Sequence, residues 1–150
     1  MCSSDLRGQF LLDLAAKRPQ WNVLGLEIRD HFVESAIKRA KEQSLSNLHA
    51  VVANANIHLG ELVEDASVGF VSINFPDPWF KKKHHKRRIV RNDVIKLFTH
   101  SLKSDGMLHV STDVESLWES METAILASKS FKFISNHPLW EIDYTSHWHE

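Results

Sequence analysis

Short apolar runs alternate with segments of helical period along this chain, and that alternation constrains its fold more than any other feature. Phe10, Leu11, Leu14 and Ala15 recur at helical spacing, and Pro19 stops the segment because proline cannot continue a helix ladder. Val23-Leu24-Gly25-Leu26-Glu27-Ile28 follows as a short apolar run carrying an acid near its end. Phe32, Ala36, Ile37 and Ala40 mark one face of a helix reaching about Gln43. Leu48 to Ala53 and Val68 to Phe75 read as strands, the second rich in β-branched and aromatic residues. A helix is predicted from about Asn92 to Leu102, then a turn at Ser104-Asp105-Gly106. Met107 to Ser111 reads as a further strand and Val114 to Ser128 as a further helix.

Buried apolar strands alternating with helices call for an α/β fold: a mostly parallel sheet covered by helices on both faces. Ligands of such sheets gather at the carboxyl ends of the strands. Glu27, Asn54, Asp77 and Asp113 each stand at or just after the end of a predicted strand. At 150 residues the chain has the length of one domain, residues 1–150, and no repeat or linker divides it. No apolar run approaches the roughly 20 residues that a membrane span needs. Met1 to Leu6 lack the pattern of a secretory signal. The single cysteine, Cys2, excludes an internal disulfide and fits a reducing compartment, so a cytoplasmic protein is expected.

The net charge of -1 hides an uneven distribution. Residues 81 to 91 carry seven basic side chains, two histidines and no acid, leaving 11 basic against 19 acidic residues elsewhere. A basic block on an otherwise acidic molecule is a footprint for phosphate, although a solvated surface run or a nuclear address has the same composition.

Glu27 lies 19 residues beyond Gly8. Nucleotide-binding βαβ units place an acid about 20 residues beyond a glycine loop, where the carboxylate accepts hydrogen bonds from ribose hydroxyls. Asp77 stands between Pro76 and Pro78, whose rings fix their own φ and bias Phe75 and Asp77 toward extended backbone. A rigid acid beside an aromatic can hold a flat base, and a proline-rich turn around a core tryptophan would read the same way.

The stretch Ile73-Asn74-Phe75-Pro76-Asp77-Pro78-Trp79-Phe80-Lys81-Lys82-Lys83-His84-His85-Lys86-Arg87-Arg88-Ile89-Val90 closely resembles the signature of bacterial-type tRNA (guanine-N7)-methyltransferases. Gly25-Leu26-Glu27-Ile28, Ser46-Asn47-Leu48, Asn54-Ala55 and Ser111-Thr112-Asp113 fall in that family's order, and the resemblance runs from about Gly8 to Glu150. It implies a Rossmann-like class I S-adenosylmethionine-dependent methyltransferase fold, with Glu27, Asn54 and Asp77 on the cofactor and Asp77 also at the reacting centre. Lys81, Asp113, Thr145 and Glu150 resemble substrate-binding positions, and Lys83, His84, His85, Lys86, Arg87 and Arg88 the segment that contacts tRNA. The family's glycine-rich motif should precede Phe10, where positions 2 to 7 read Cys-Ser-Ser-Asp-Leu-Arg. The resemblance therefore implies a fold incomplete at both ends, with a central strand absent and weak affinity for S-adenosylmethionine.

The reaction so implied needs no general base and no metal. Guanine N7 already presents a lone pair, and the methyl donor is a sulfonium, so proximity and electrostatics dominate. His84 and His85 are adjacent among lysines and more naturally supplement phosphate binding than hold a metal. Duplex RNA hides purine N7 in a deep, narrow groove, so the target must be accessible; the resemblance implies the tRNA variable loop. Two other readings remain open at this level: an RNA-binding module without catalysis, and a methyltransferase for a small molecule.

Overall fold

The computed structural model describes residues 8–79 and 88–134. Among the described residues nine elements follow one another: α1 (Gln9–Lys17), β1 (Val23–Glu27), α2 (Asp30–Glu42), β2 (Leu48–Val52), α3 (Ala55–Leu62), β3 (Val68–Asn74), α4 (Asn92–Ser101), β4 (Leu102–Ser111) and α5 (Glu115–Ala127). Among the described residues no helix is long and apolar enough to cross a membrane.

The strands pair in parallel, β1 with β2 and β3 with β4. Val23 stands opposite Leu48 and Glu27 opposite Val52; Phe70 stands opposite Met107 and Asn74 opposite Ser111. Parallel partners need a crossover, and α2 and α4 supply the two. The helices bury one face each. Leu12, Leu14 and Ala15 of α1 and Ala40 of α2 cover Val23 and Leu48. Leu59, Val94, Ile95, Phe98, Leu117 and Met121 from α3, α4 and α5 close over Ile73 of β3. This is the α/β architecture expected, with the apolar face of each helix on the strands.

The two pairs do not share a ladder. The Val23 N–H donates to Asn47 O at 2.8 Å, and the Glu27 carbonyl accepts from Ala53 N at 2.9 Å. Alternate residues of a strand face opposite edges, so the backbone groups of Leu24 and Leu26 face away from β2. The Phe75 N–H donates to Ser111 O at 2.8 Å, so those of Ser72 and Asn74 face away from β4 by the same alternation. Between the two edges lies an apolar-walled crevice of about 910 Å³, lined by residues of both pairs. The Trp21 and Phe70 rings, with centroids 6.0 Å apart, bridge it near one end.

One local expectation is corrected, and one element is new. Ser104-Asp105-Gly106 lies inside β4 rather than in a turn before it. Val68 opposes Leu102 and Phe70 opposes Met107, so the extra residues on β4 are taken up as an irregularity in the ladder. The helix α3 has no counterpart in the apolar pattern. It starts because the Asn54 Oδ1 accepts the Asn56 N–H at 3.0 Å, a side-chain cap on otherwise orphan donors.

Asn47 fixes the return from α2 into β2. Its Nδ2 donates toward the carbonyls of Ala15, Arg18 and Trp21 at 3.0, 3.2 and 2.9 Å, tying the end of α1 and its exit turn to the strand. Asn47→Ala strands these part-buried acceptors and is expected to destabilise the chain by about 1 to 3 kcal/mol, read as a lower urea midpoint at unchanged slope. An unchanged midpoint would mean that water replaces the amide without cost.

Candidate active site

The sequence-predicted polar residues gather at the carboxyl ends of the strands, in two groups. Glu27 and Asn54 close one strand pair, where the Ala53 N–H meets the Glu27 carbonyl at 2.9 Å. Asp77 and Asp113 follow the other, where Phe75 meets Ser111. The crevice runs between the pairs, and the Glu27 and Asn74 side-chain positions both line it.

Glu27 is held by its own turn. Its Oε1 accepts from the N–H groups of Ile28 at 2.9 Å and Arg29 at 3.1 Å, and from the Arg29 Nε at 3.1 Å. Its Oε2 receives only the longer Arg29 Nη2 contact, 3.4 Å. The carboxylate is thus oriented through one oxygen while the other keeps accepting capacity. Arg29 in turn lies over the Phe32 ring, 4.4 Å from its centroid.

Two glycines shape the near wall. Gly8 caps α1 with φ 80°, in the left-handed region where a side chain is strained. Gly25 lies under Leu11, and an added Cβ would come within 2.5 Å of its Cδ2.

Asn54 spends its side-chain oxygen on the cap of α3, and its own N–H donates to His58 Nδ1 at 3.0 Å. Beside it, Asn56 buries an Oδ1 that has no hydrogen-bond partner among the described residues. An orphan acceptor in the interior is costly, and ligand sites are one place where such groups are kept. Sequence reasoning missed Asn56, although Asn-Ala-Asn after a strand places two amides on one helix start.

The Asp77 turn departs from expectation. Phe75 does not stay extended: it adopts φ 45°, and Trp79 on the far side of Pro76-Asp77-Pro78 adopts φ 44°. Bulky residues in the left-handed region cost about 1 to 3 kcal/mol each and persist only where the surroundings dictate them. Here the Phe75 N–H completes the β3–β4 ladder while its φ swings the chain off the sheet. From the other side Arg88 braces the turn, its Nε donating to the Pro78 carbonyl at 2.9 Å and its Nη1 to Ser120 Oγ on α5 at 3.2 Å. Asp77 itself is exposed. The Asp113 side chain is exposed too, and the neighbouring Thr112 Oγ1 accepts the Val114 N–H at 3.2 Å ahead of α5.

A polar network joins β3 to β4 just below this rim. Asn74 Oδ1 accepts from Ser72 Oγ and Ser111 Oγ, both at 3.1 Å, and Ser72 Oγ lies 2.9 Å from His109 Nδ1. Burial lowers the pKa of His109, which keeps the ring neutral at physiological pH.

Lys81, Lys83, His84, His85, Lys86, Arg87, Thr145 and Glu150 lie outside the described residues. Among the described residues no group of three or more His, Cys, Asp or Glu side chains could hold a metal ion.

Parallel strands, crossover helices and a crevice running between the two strand pairs define a Rossmann-like α/β protein. The chain belongs to a methyltransferase family: residues 6–149 match the family described as "Putative methyltransferase". It is 36% identical over 140 residues to a tRNA (guanine-N(7)-)-methyltransferase of Prochlorococcus marinus subsp. pastoris, covering 91% of this chain and 66% of the relative. It is 41% identical over 126 residues to the enzyme of that name from Thermosynechococcus vestitus, covering 84% and 59%. The chain thus spans about two thirds or less of these relatives' length. Among solved structures it resembles the cyclase SpnF, with a TM-score of 0.62 at 16% identity over 81% of this chain and 47% of that one. It also resembles the aminoglycoside resistance methyltransferase NpmB1, with a TM-score of 0.55 at 21% identity over 86% and 62%. These likenesses support the fold.

Proposed function

We propose that this chain transfers a methyl group from S-adenosylmethionine to N7 of a guanosine in the variable loop of tRNA, in the cytoplasm. The observation that carries the reading is the split rim. Glu27 stands on one side of the crevice, with the α3 amides on the helix that follows β2, and Asn74 stands on the other, just ahead of the braced Asp77 turn. A nucleoside and a second planar base would each find polar partners there.

The crevice and its donor set fit the cofactor. The remaining Glu27 Oε2 capacity suits ribose hydroxyls, and the orphan Asn56 Oδ1 with the Asn54 amide suits the donor and acceptor of an adenine edge. Bound there, S-adenosylmethionine would supply a methyl group already activated by its sulfonium. The protein's own work is then orientation. Asp77 accepts from guanine N1–H and the N2 amine, and those donors strengthen as the purine takes on positive charge. Arg88 keeps the Asp77 turn in place, and Lys81 and Asp113 hold the substrate near it. Lys83, His84, His85, Lys86 and Arg87 contact phosphates and add affinity without reading sequence. Thr145 and Glu150 complete the substrate side.

The test is transfer of methyl label from S-adenosylmethionine to an unmodified tRNA transcript, followed by chemical cleavage specific for 7-methylguanosine. Label in the RNA with scission in the variable loop is expected. Binding of tRNA without transfer would overturn the reading in favour of a non-catalytic RNA-binding module. Transfer only to small molecules would overturn it in favour of a small-molecule methyltransferase.

A further inference from the structure

We infer that the side-chain amide of Asn74 reads the target purine, its N–H donors meeting O6 of guanine beside the Asp77 carboxylate. The inference deepens the proposed methyl transfer and takes the identity of the base from it. The amide is held through one end. Its Oδ1 accepts from Ser72 Oγ and Ser111 Oγ, both at 3.1 Å, on either side of the β3–β4 ladder. A hydroxyl has one proton to give, so Ser72, donating to Asn74, accepts from His109 Nδ1 at 2.9 Å. The neutral His109 ring therefore carries its proton on Nδ1, and the chain of bonds runs in one direction from histidine through serine to amide. With the oxygen tied down, the two Nδ2 protons are what the side chain has left to offer a ligand. It has no hydrogen-bond partner among the described residues, and Asn74 is half-buried on the wall of the crevice.

A pinned amide with two idle donors suits an acceptor oxygen. The Watson–Crick edge of guanine presents an acceptor at O6 followed by donors at N1 and N2. A carboxylate satisfies the two donors and leaves O6 needing an N–H. Asn74 ends β3, three residues before Asp77 and just ahead of the turn that Phe75 swings off the sheet. A purine with an amine at position 6 would bring donor against donor there, a repulsion that selects against it. The contact serves selection rather than the chemical step. Methylation at N7 draws electrons from the ring, so O6 becomes a poorer acceptor as the reaction advances, while the donors facing Asp77 improve.

The experiment uses the chain labelled with nitrogen-15 and two probes, guanosine 5′-monophosphate and 2,6-diaminopurine riboside 5′-monophosphate. The Asn74 side-chain amide resonances are expected to move with the first and stay in place with the second. Asn74→Asp keeps an oxygen for both serines and replaces the donors by a second acceptor. It is expected to weaken guanosine 5′-monophosphate binding by at least about tenfold and to invert the preference between probes. Guanosine 5′-monophosphate binding that leaves the Asn74 resonances unmoved, no binding at all, or an unchanged preference in Asn74→Asp would overturn the inference. Movement of the Asn74 resonances in a chain that transfers no methyl to tRNA would leave this inference standing and sink the proposed reaction alone.

Discussion

Replacing Asp77 with alanine is expected to slow single-turnover methyl transfer by about 10² to 10³ while leaving tRNA affinity within a few-fold. The expectation follows from where the carboxylate stands. Two left-handed residues, Phe75 and Trp79, bracket its turn, and the Arg88 Nε holds the Pro78 carbonyl at 2.9 Å. Backbone strain of that kind is maintained at a position whose geometry matters. Charge moves onto the purine during transfer, so a carboxylate facing the N1 and N2 donors gains most of its interaction energy in the transition state. Asp77→Asn, which keeps the shape and removes the charge, should recover little of the rate. A mutant that transfers at nearly the normal rate, measured with enzyme in excess over tRNA, would remove Asp77 from the chemistry.

The second large effect concerns salt. Lys83, Lys86 and Arg87 stand in a run that carries seven basic side chains and no acid. Removing one cation from a phosphate should reduce the slope of log K against log salt by about 0.7 to 0.9, so changing all three to alanine should flatten it by about 2 to 3. Arg88 separates from this group on structural grounds. Its Nε and Nη1 already serve Pro78 and Ser120, so Arg88→Ala should loosen the Asp77 turn and lower the rate more than the salt slope. A triple variant with the parent slope would mean that the block is a solvated surface and not an RNA contact.

The strands and most of the helices were legible because burial imposes period. Val23 to Glu27 and Val68 to Asn74 are apolar where parallel strands are covered, and Ala36 and Ala40 mark the buried α2 face, which Val33 completes in place of the half-buried Phe32. Glu27 and Asp77 could be picked out because each follows such a run. The helix α3 was not legible, since its start depends on one capping amide and Leu59 is its one fully buried side chain. The ladder irregularity at Ser104-Asp105-Gly106 was read as a turn because the same residues favour both, and only the partner strand decides. The Asn74 network could not be seen at all. Its members lie 37 residues apart in sequence and meet only once β3 and β4 are in register. Arg88 read as one cation among many, because nothing local announces that it will brace Pro78 and α5.

The separate ladders leave two units, the strand pairs, that meet through side chains such as Trp21 and Phe70. Glu27 and Asn54 belong to one unit, Asn74 and Asp77 to the other. A ligand that touches both acts as a splint, and its binding free energy reappears as coupling between the melting of the halves. In such a molecule the recognition of two ligands at once and the integrity of the fold are one thermodynamic quantity.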